Sequence, residues 1–174
     1  LVNNKATGTT SWGGAVYFDS KGNVKNCNFA NNSDSGEGGA IYLTSGSVEN
    51  CNFTDNSAYS HGGAVYFYNP GTLTNCNFTD NHANHGGAVW MDQGSVSNCN
   101  FTNNSASGQG GAIWQYSGSV ENCNFTDNRA TDGSAIYFYK YESTDTITVS
   151  NSIFLNNRAN AETLEVIKND NNIT

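Results

Sequence analysis

The chain has 174 residues and a formal net charge of −8, with 29 Asn, 19 Gly, one Pro and 13% charged residues. That much Asn and Gly, with only five Leu, excludes an all-α fold, and 12% aromatic residues argue against disorder. The acidic balance and scattered cations exclude nucleic acid, and no apolar run nears the roughly 18 residues of a membrane span.

Residues 1–12 read as a partial first coil, because Asn3-Asn4-Lys5-Ala6 matches Asn103-Asn104-Ser105-Ala106. A repeat then fills residues 13–157. Gly-Gly-Ala begins at Gly13, Gly38, Gly62, Gly86 and Gly110, with a Gly-Ser-Ala variant at Gly133. Cysteines follow at Cys27, Cys51, Cys76, Cys99 and Cys123, each with a Phe two residues on; Ser152 and Phe154 hold these slots last. Three residues past each Phe stands Asn32, Asn56, Asn81, Asn104, Asn128 or Asn157.

Within a unit, as in Gly94–Thr102, apolar residues alternate in short bursts bounded by Gly, Asn and Ser, which predicts short strands joined by turns. A period near 24 residues with such strands fits a coil of a parallel β-helix, an all-β solenoid of about six coils. Strands of successive coils would lie ~4.8 Å apart, so equivalent residues stack into ladders. Tyr139–Ile147 lengthens one coil. Residues 158–174 read as a terminal strand or the start of a further coil, with Thr163–Lys168 as the strand. Both ends look cut, as in a segment of a longer array or a subunit that stacks end to end.

Two apolar columns are expected inside: Val16, Ile41, Val65, Val89, Ile113 and Ile136, and Val24, Val48, Leu73, Val96, Val120 and Val149. The Phe column joins them, at roughly 2 kcal/mol or more per ring before entropy. The Asn column after Phe reads as an inward amide ladder at a bend, where Asn also tolerates left-handed backbone. The cysteines read as an unpaired thiol stack, since stacked Cβ atoms at ~4.8 Å are wider than a disulfide prefers. His61 and His85 share a slot held elsewhere by Trp12, Glu37, Gln109 and Asp132, which reads as a solvated bend; no metal and no cofactor is expected.

Strand alternation places the neighbour of the Val/Ile column outside. Tyr17, Tyr42, Tyr66, Trp90, Trp114 and Tyr137 would then form an exposed aromatic stripe, either stacked scaffold or a platform for a sugar, a partner protein or another copy. Asn52, Asn77, Asn100 and Asn124 each open an Asn-x-Thr sequon and are candidate glycosylation sites, or a polar ladder that keeps the sheet soluble. Glycans on every coil would collide. The flat Asn/Thr array also resembles an ice-binding surface, broken at its ends by Ala30 and Leu155.

The pairing of Phe-x-x-Asn with Gly-Gly-Ala-Ile/Val resembles the repeat of chlamydial polymorphic membrane proteins. The Asn-rich composition is similar to the adhesin-like surface proteins of methanogenic archaea. The resemblance covers residues 13–157 and implies a right-handed β-helix in a cell-surface adhesin passenger, with no catalytic or binding residue carried over. Gly133-Ser134-Ala135 and Ser152-Ile153-Phe154 depart from the pattern.

The expected function is therefore a non-catalytic extracellular adhesin or binding stalk for a surface glycan or protein. The alternative is a structural subunit of a filament or sheath, partnered by further copies of the array. A polysaccharide-active enzyme is the third reading; it needs a carboxylate pair in a cleft. Asp55, Asp80 and Asp127 recur in one slot, which favours turn-making over chemistry.

Overall fold

A computed structural model describes residues 1–8, 10–139 and 146–159, and the backbone of 167–169. The chain winds as a parallel β-helix with three faces, every strand pairing in parallel with its equivalents one coil before and after. The first face carries the long strands: Val16–Lys25, Ile41–Glu49, Val89–Ser97 and Ile113–Glu121. Two coils split this strand, as Val65–Phe67 with Gly71–Thr74, and Ile136–Phe138 with Ile147–Ser150. The second face stacks three-residue strands from Asn28–Ala30 to Ile153–Leu155. The third stacks two-residue strands from Lys5–Ala6 to Arg158–Ala159.

Of the expected terminal strand, Ile167–Asn169 pairs with Ile136–Phe138 on the first face, and Thr163–Val166 lie outside the described residues. The same holds for most of the Tyr139–Ile147 extension.

The corners explain the composition. Asn26, Asn50, Asn75, Asn98, Asn122 and Asn151 turn the first face into the second with φ between 49° and 55°. Asn31, Asp55, Asp80, Asn103, Asp127 and Asn156 turn the second into the third with φ between 53° and 58°. Left-handed backbone costs least at Gly, Asn and Asp, whose short polar side chains bond locally. The expectation that the Asn32–Asn157 column carries this geometry is corrected: the residue before it does, and the repeated aspartates are corner-makers.

The third corner uses glycine. Gly86 has φ 62°, and a Cβ there would stand 2.2 Å from the Val89 carbonyl oxygen, so no side chain fits.

The Val/Ile column, the second apolar column and the Phe column all point inward and form one core. The Phe rings stack at centroid separations of 4.8–5.0 Å from Phe29 to Phe154. A further inward column, two residues past each Val/Ile, escaped sequence reading: Phe18, Leu43, Phe67, Met91, Gln115 and Phe138. The inner amides satisfy one another completely. Asn56 Nδ2 donates to Asn81 Oδ1 at 3.0 Å and to the Phe29 carbonyl at 3.1 Å, and the Asn56 backbone N–H also reaches Asn81 Oδ1.

Candidate functional site

The aromatic stripe sits outside the long-strand sheet, but it is not exposed. Tyr42, Tyr66, Trp90 and Trp114 are 5–8% exposed and Tyr137 is 1%; Tyr17 alone, at 43%, faces solvent. The expectation of an exposed recognition platform is corrected at these five positions. Each ring lies on the next at 4.5–6.1 Å, so ring faces are spent on one another. The edges are covered from both sides. His61 meets Trp90 edge-on at 5.8 Å, and Tyr116 meets Trp114 at 4.7 Å and 86°. The stripe is thus a second, smaller apolar core outside the coil, and burial pushes the Tyr42 phenol up to about 12.

The sequon asparagines are exposed, as expected, and hydrogen-bonded in series. Asn52, Asn77, Asn100 and Asn124 each donate Nδ2 to the Oδ1 one coil earlier at 2.7–2.8 Å. Ile153 ends this ladder.

His61 and His85 stack at 5.5 Å in the mixed column. His61 Nδ1 bonds Ser60 Oγ at 2.8 Å and lies 3.4 Å from Glu37 Oε1. Both histidines are half-buried rather than solvated. Among the described residues no group of three His, Cys, Asp or Glu could hold a metal ion.

All five cysteines are free thiols. Each backbone N–H donates to the Sγ of the next coil at 3.4 Å, as from Cys51 to Cys76. Ser152 continues the pattern by accepting from the Cys123 N–H at 3.1 Å. Shared thiol hydrogen bonds push the Cys51 and Cys99 thiols up and the Cys76 and Cys123 thiols down, so it is the burial of Cys51, Cys76, Cys99 and Cys123 that marks a structural stack.

Among the described residues a smaller hollow of about 160 Å³ lies against Trp90 and Trp114, and a larger groove lies on the other half of the long strands. Gly22, Gly46, Gly71, Gly94 and Gly118 stack in register, and Gly46, Gly71 and Gly94 line a groove. Gly46, Gly94 and Gly118 have φ of 122–138°, and a Cβ on Gly46 would stand 1.9 Å from the Gly22 carbonyl oxygen. Positive φ with the neighbouring coil's carbonyl in the place of a Cβ therefore requires glycine at these positions. The groove holds about 630 Å³ across four coils. Lys21, Ser45 and Pro70 line one wall, and Asn23, Ser47, Thr72 and Ser95 the other. Ser47 Oγ donates to Asn23 Oδ1 at 2.8 Å, fixing adjacent wall groups.

Sequence reasoning missed this site. The available signal is the Gly-x-Val/Leu column, which repeats as regularly as the cysteines but reads in the sequence as a row of strand boundaries.

No curated protein and no solved structure matches the chain. A family model described as right handed beta helix region matches residues 14–174. That match covers all but the first coil fragment and agrees with the three stacked parallel sheets. The chain belongs to the right-handed β-helix family.

Proposed function

We propose that the chain is a non-catalytic binding rod, a segment of an extracellular surface adhesin or stalk that holds a surface glycan or protein on exposed polar ladders. The observation that carries this reading is the groove. Its walls offer Ser, Thr and Asn side chains coil after coil, and none of its lining residues is acidic. Hydroxyl and amide groups fixed on a rigid sheet suit recognition of a hydroxylated ligand, because they are oriented before binding. The recurring acids Asp55, Asp80 and Asp127 hold left-handed corners, a role that accounts for their repetition without chemistry.

The test is a glycan array and a cell-binding assay with the parent chain and a Ser47→Arg, Thr72→Arg variant. Retention by the parent and loss in a folded variant is expected. Loss of neither, with fibres appearing in electron micrographs as concentration rises, would replace this reading with a filament or sheath subunit.

A further inference from the structure

We propose that Asp34 anchors a site for a hard divalent cation of calcium's size, where Gly8 and Ser11 meet the coil that follows. The site shares no residue with the groove and does not rest on the binding reading above. Asp34 interrupts a column of the third face whose other members, Ala6, Ala58, Ala83 and Ala106 among them, are alanine. It is only 5% exposed. Its Oδ1 accepts from Ser11 Oγ at 3.1 Å and from the Gly36 backbone N–H, while Oδ2 is buried with no hydrogen-bond partner. Lys5 pairs with the preceding Ser33 and is exposed, and no ion pair among the described residues includes Asp34. Burial pushes its carboxyl above the ordinary carboxylate range, the mark of an anion without a counter-charge. A buried carboxylate oxygen left bare is costly unless a cation or a proton meets it.

The groups around Asp34 favour the cation, because they are oxygens. Ser11 Oγ lies 2.7 Å from Ser35 Oγ, which donates to the Gly8 carbonyl at 2.6 Å. At Gly36 a Cβ would stand 2.4 Å from the Ser11 carbonyl oxygen and 3.2 Å from Asp34 Oδ1, so glycine keeps that carbonyl and the carboxylate free of a side chain between them. Successive oxygens 2.6–3.1 Å apart are spaced like neighbouring ligands of an ion held at about 2.3–2.6 Å. One carboxylate with hydroxyl and carbonyl oxygens suits calcium, whereas zinc selects nitrogen and sulfur and magnesium keeps its waters. The Glu37 charge stands close enough to act on Asp34 and adds to the attraction. So few carboxylates place the dissociation constant at about 10⁻⁴–10⁻³ M, the range of extracellular calcium modules. The bound ion would tie Gly8 and Ser11 to the second coil and pin the first.

Chelator-treated full chain, titrated with terbium and with calcium, tests this. Terbium emission excited through Trp12, the neighbour of Ser11, should appear on titration and be displaced by calcium. Calcium at about tenfold over its dissociation constant should raise the melting temperature by about 3–6 °C, and magnesium and potassium should raise it less. Asp34→Ala, which restores the residue of the other coils, should fold and lose both responses, and the near-isosteric Asp34→Asn should lose them too. A calcium response in either readout that both variants lack supports the site. A response that survives in either variant places the ion elsewhere and overturns it. The absence of both responses from the parent chain overturns it as well, and leaves Asp34 a buried carboxyl that keeps its proton.

Discussion

The side-chain Nδ2 of Asn81 donates to Asn104 Oδ1 at 3.0 Å in the coil ahead, and to the Phe53 carbonyl at 3.1 Å in the coil behind. Asn81 Oδ1 in turn accepts both the backbone and the side-chain N–H of Asn56. Asn81→Leu would thus orphan two buried donors and a carbonyl at once. Unmet buried groups cost about 1–3 kcal/mol each, so a loss of about 3–5 kcal/mol is expected in urea melts. A loss under about 1 kcal/mol would mean the ladder is decorative.

Phe78 is fully buried and stacked between Phe53 at 4.8 Å and Phe101 at 4.9 Å. Phe154 is half-buried and stacks on Phe125. Phe78→Ala should cost about 3–5 kcal/mol through the cavity it leaves, and Phe154→Ala clearly less. Equal losses in denaturant melts would contradict a solenoid whose coils lean only on their neighbours.

Trp90 and Trp114 lie 5.2 Å apart and 7° from parallel, each with less than a tenth of its surface exposed. Replacing either by Ser should cost about 3–5 kcal/mol, as for a core ring. Because the two rings touch, the double variant should lose less than the sum. Thermal melts that leave either single variant at parental stability would return the stripe to the status of a free surface.

Cys51, Cys76, Cys99 and Cys123 are buried and Cys27 is half-buried, all as free thiols. Alkylation of the native protein should label Cys27 first, and denaturation without reductant should then expose all five. Two or four blocked cysteines by intact mass would reveal pairing that the stacked geometry argues against.

His85 Nδ1 is buried without a hydrogen-bond partner. Burial, and secondarily the neighbouring His61, pushes the His85 imidazole below its ordinary 6.5. An unfolded chain takes the proton near 6.5 and the folded chain only at lower pH, so between these values the unfolded state binds more protons. Stability is therefore retained above about pH 6.5 and lost as pH falls below it. The urea midpoint should drop between about pH 7.5 and about pH 5.5. His85→Gln, the residue found at Gln109 in that slot, should shrink the drop; an equal drop in both proteins would assign it to other groups.

The period of about 24 residues, the alternation within it and the identity of the Val/Ile, Val/Leu and Phe columns were legible in the sequence; the Phe18–Phe138 column, which mixes Phe, Leu, Met and Gln, was not. A solenoid stacks like on like, so every structural demand recurs and is written once per coil. The thiol stack and the inner amide ladder were legible for the same reason, as repeated small or polar residues at fixed offsets from Phe.

What the sequence left open depended on distances between columns. Alternation correctly put Trp90 and Trp114 outside the coil, yet it carries no information on whether neighbouring columns lean over them. His61 and Tyr116 do so because the corner before Gly-Gly and the position two residues on both flank the same strand. Likewise Asn31 and Asn32 are indistinguishable as letters; only the backbone decides that the first turns the corner and the second fills the core. The groove was hidden for a related reason. A glycine column looks like a row of turns until the stacked strands set it between two rows of polar side chains, with the Gly22 carbonyl of the coil before where a Gly46 Cβ would stand, and that placement belongs to the stack rather than to any one repeat.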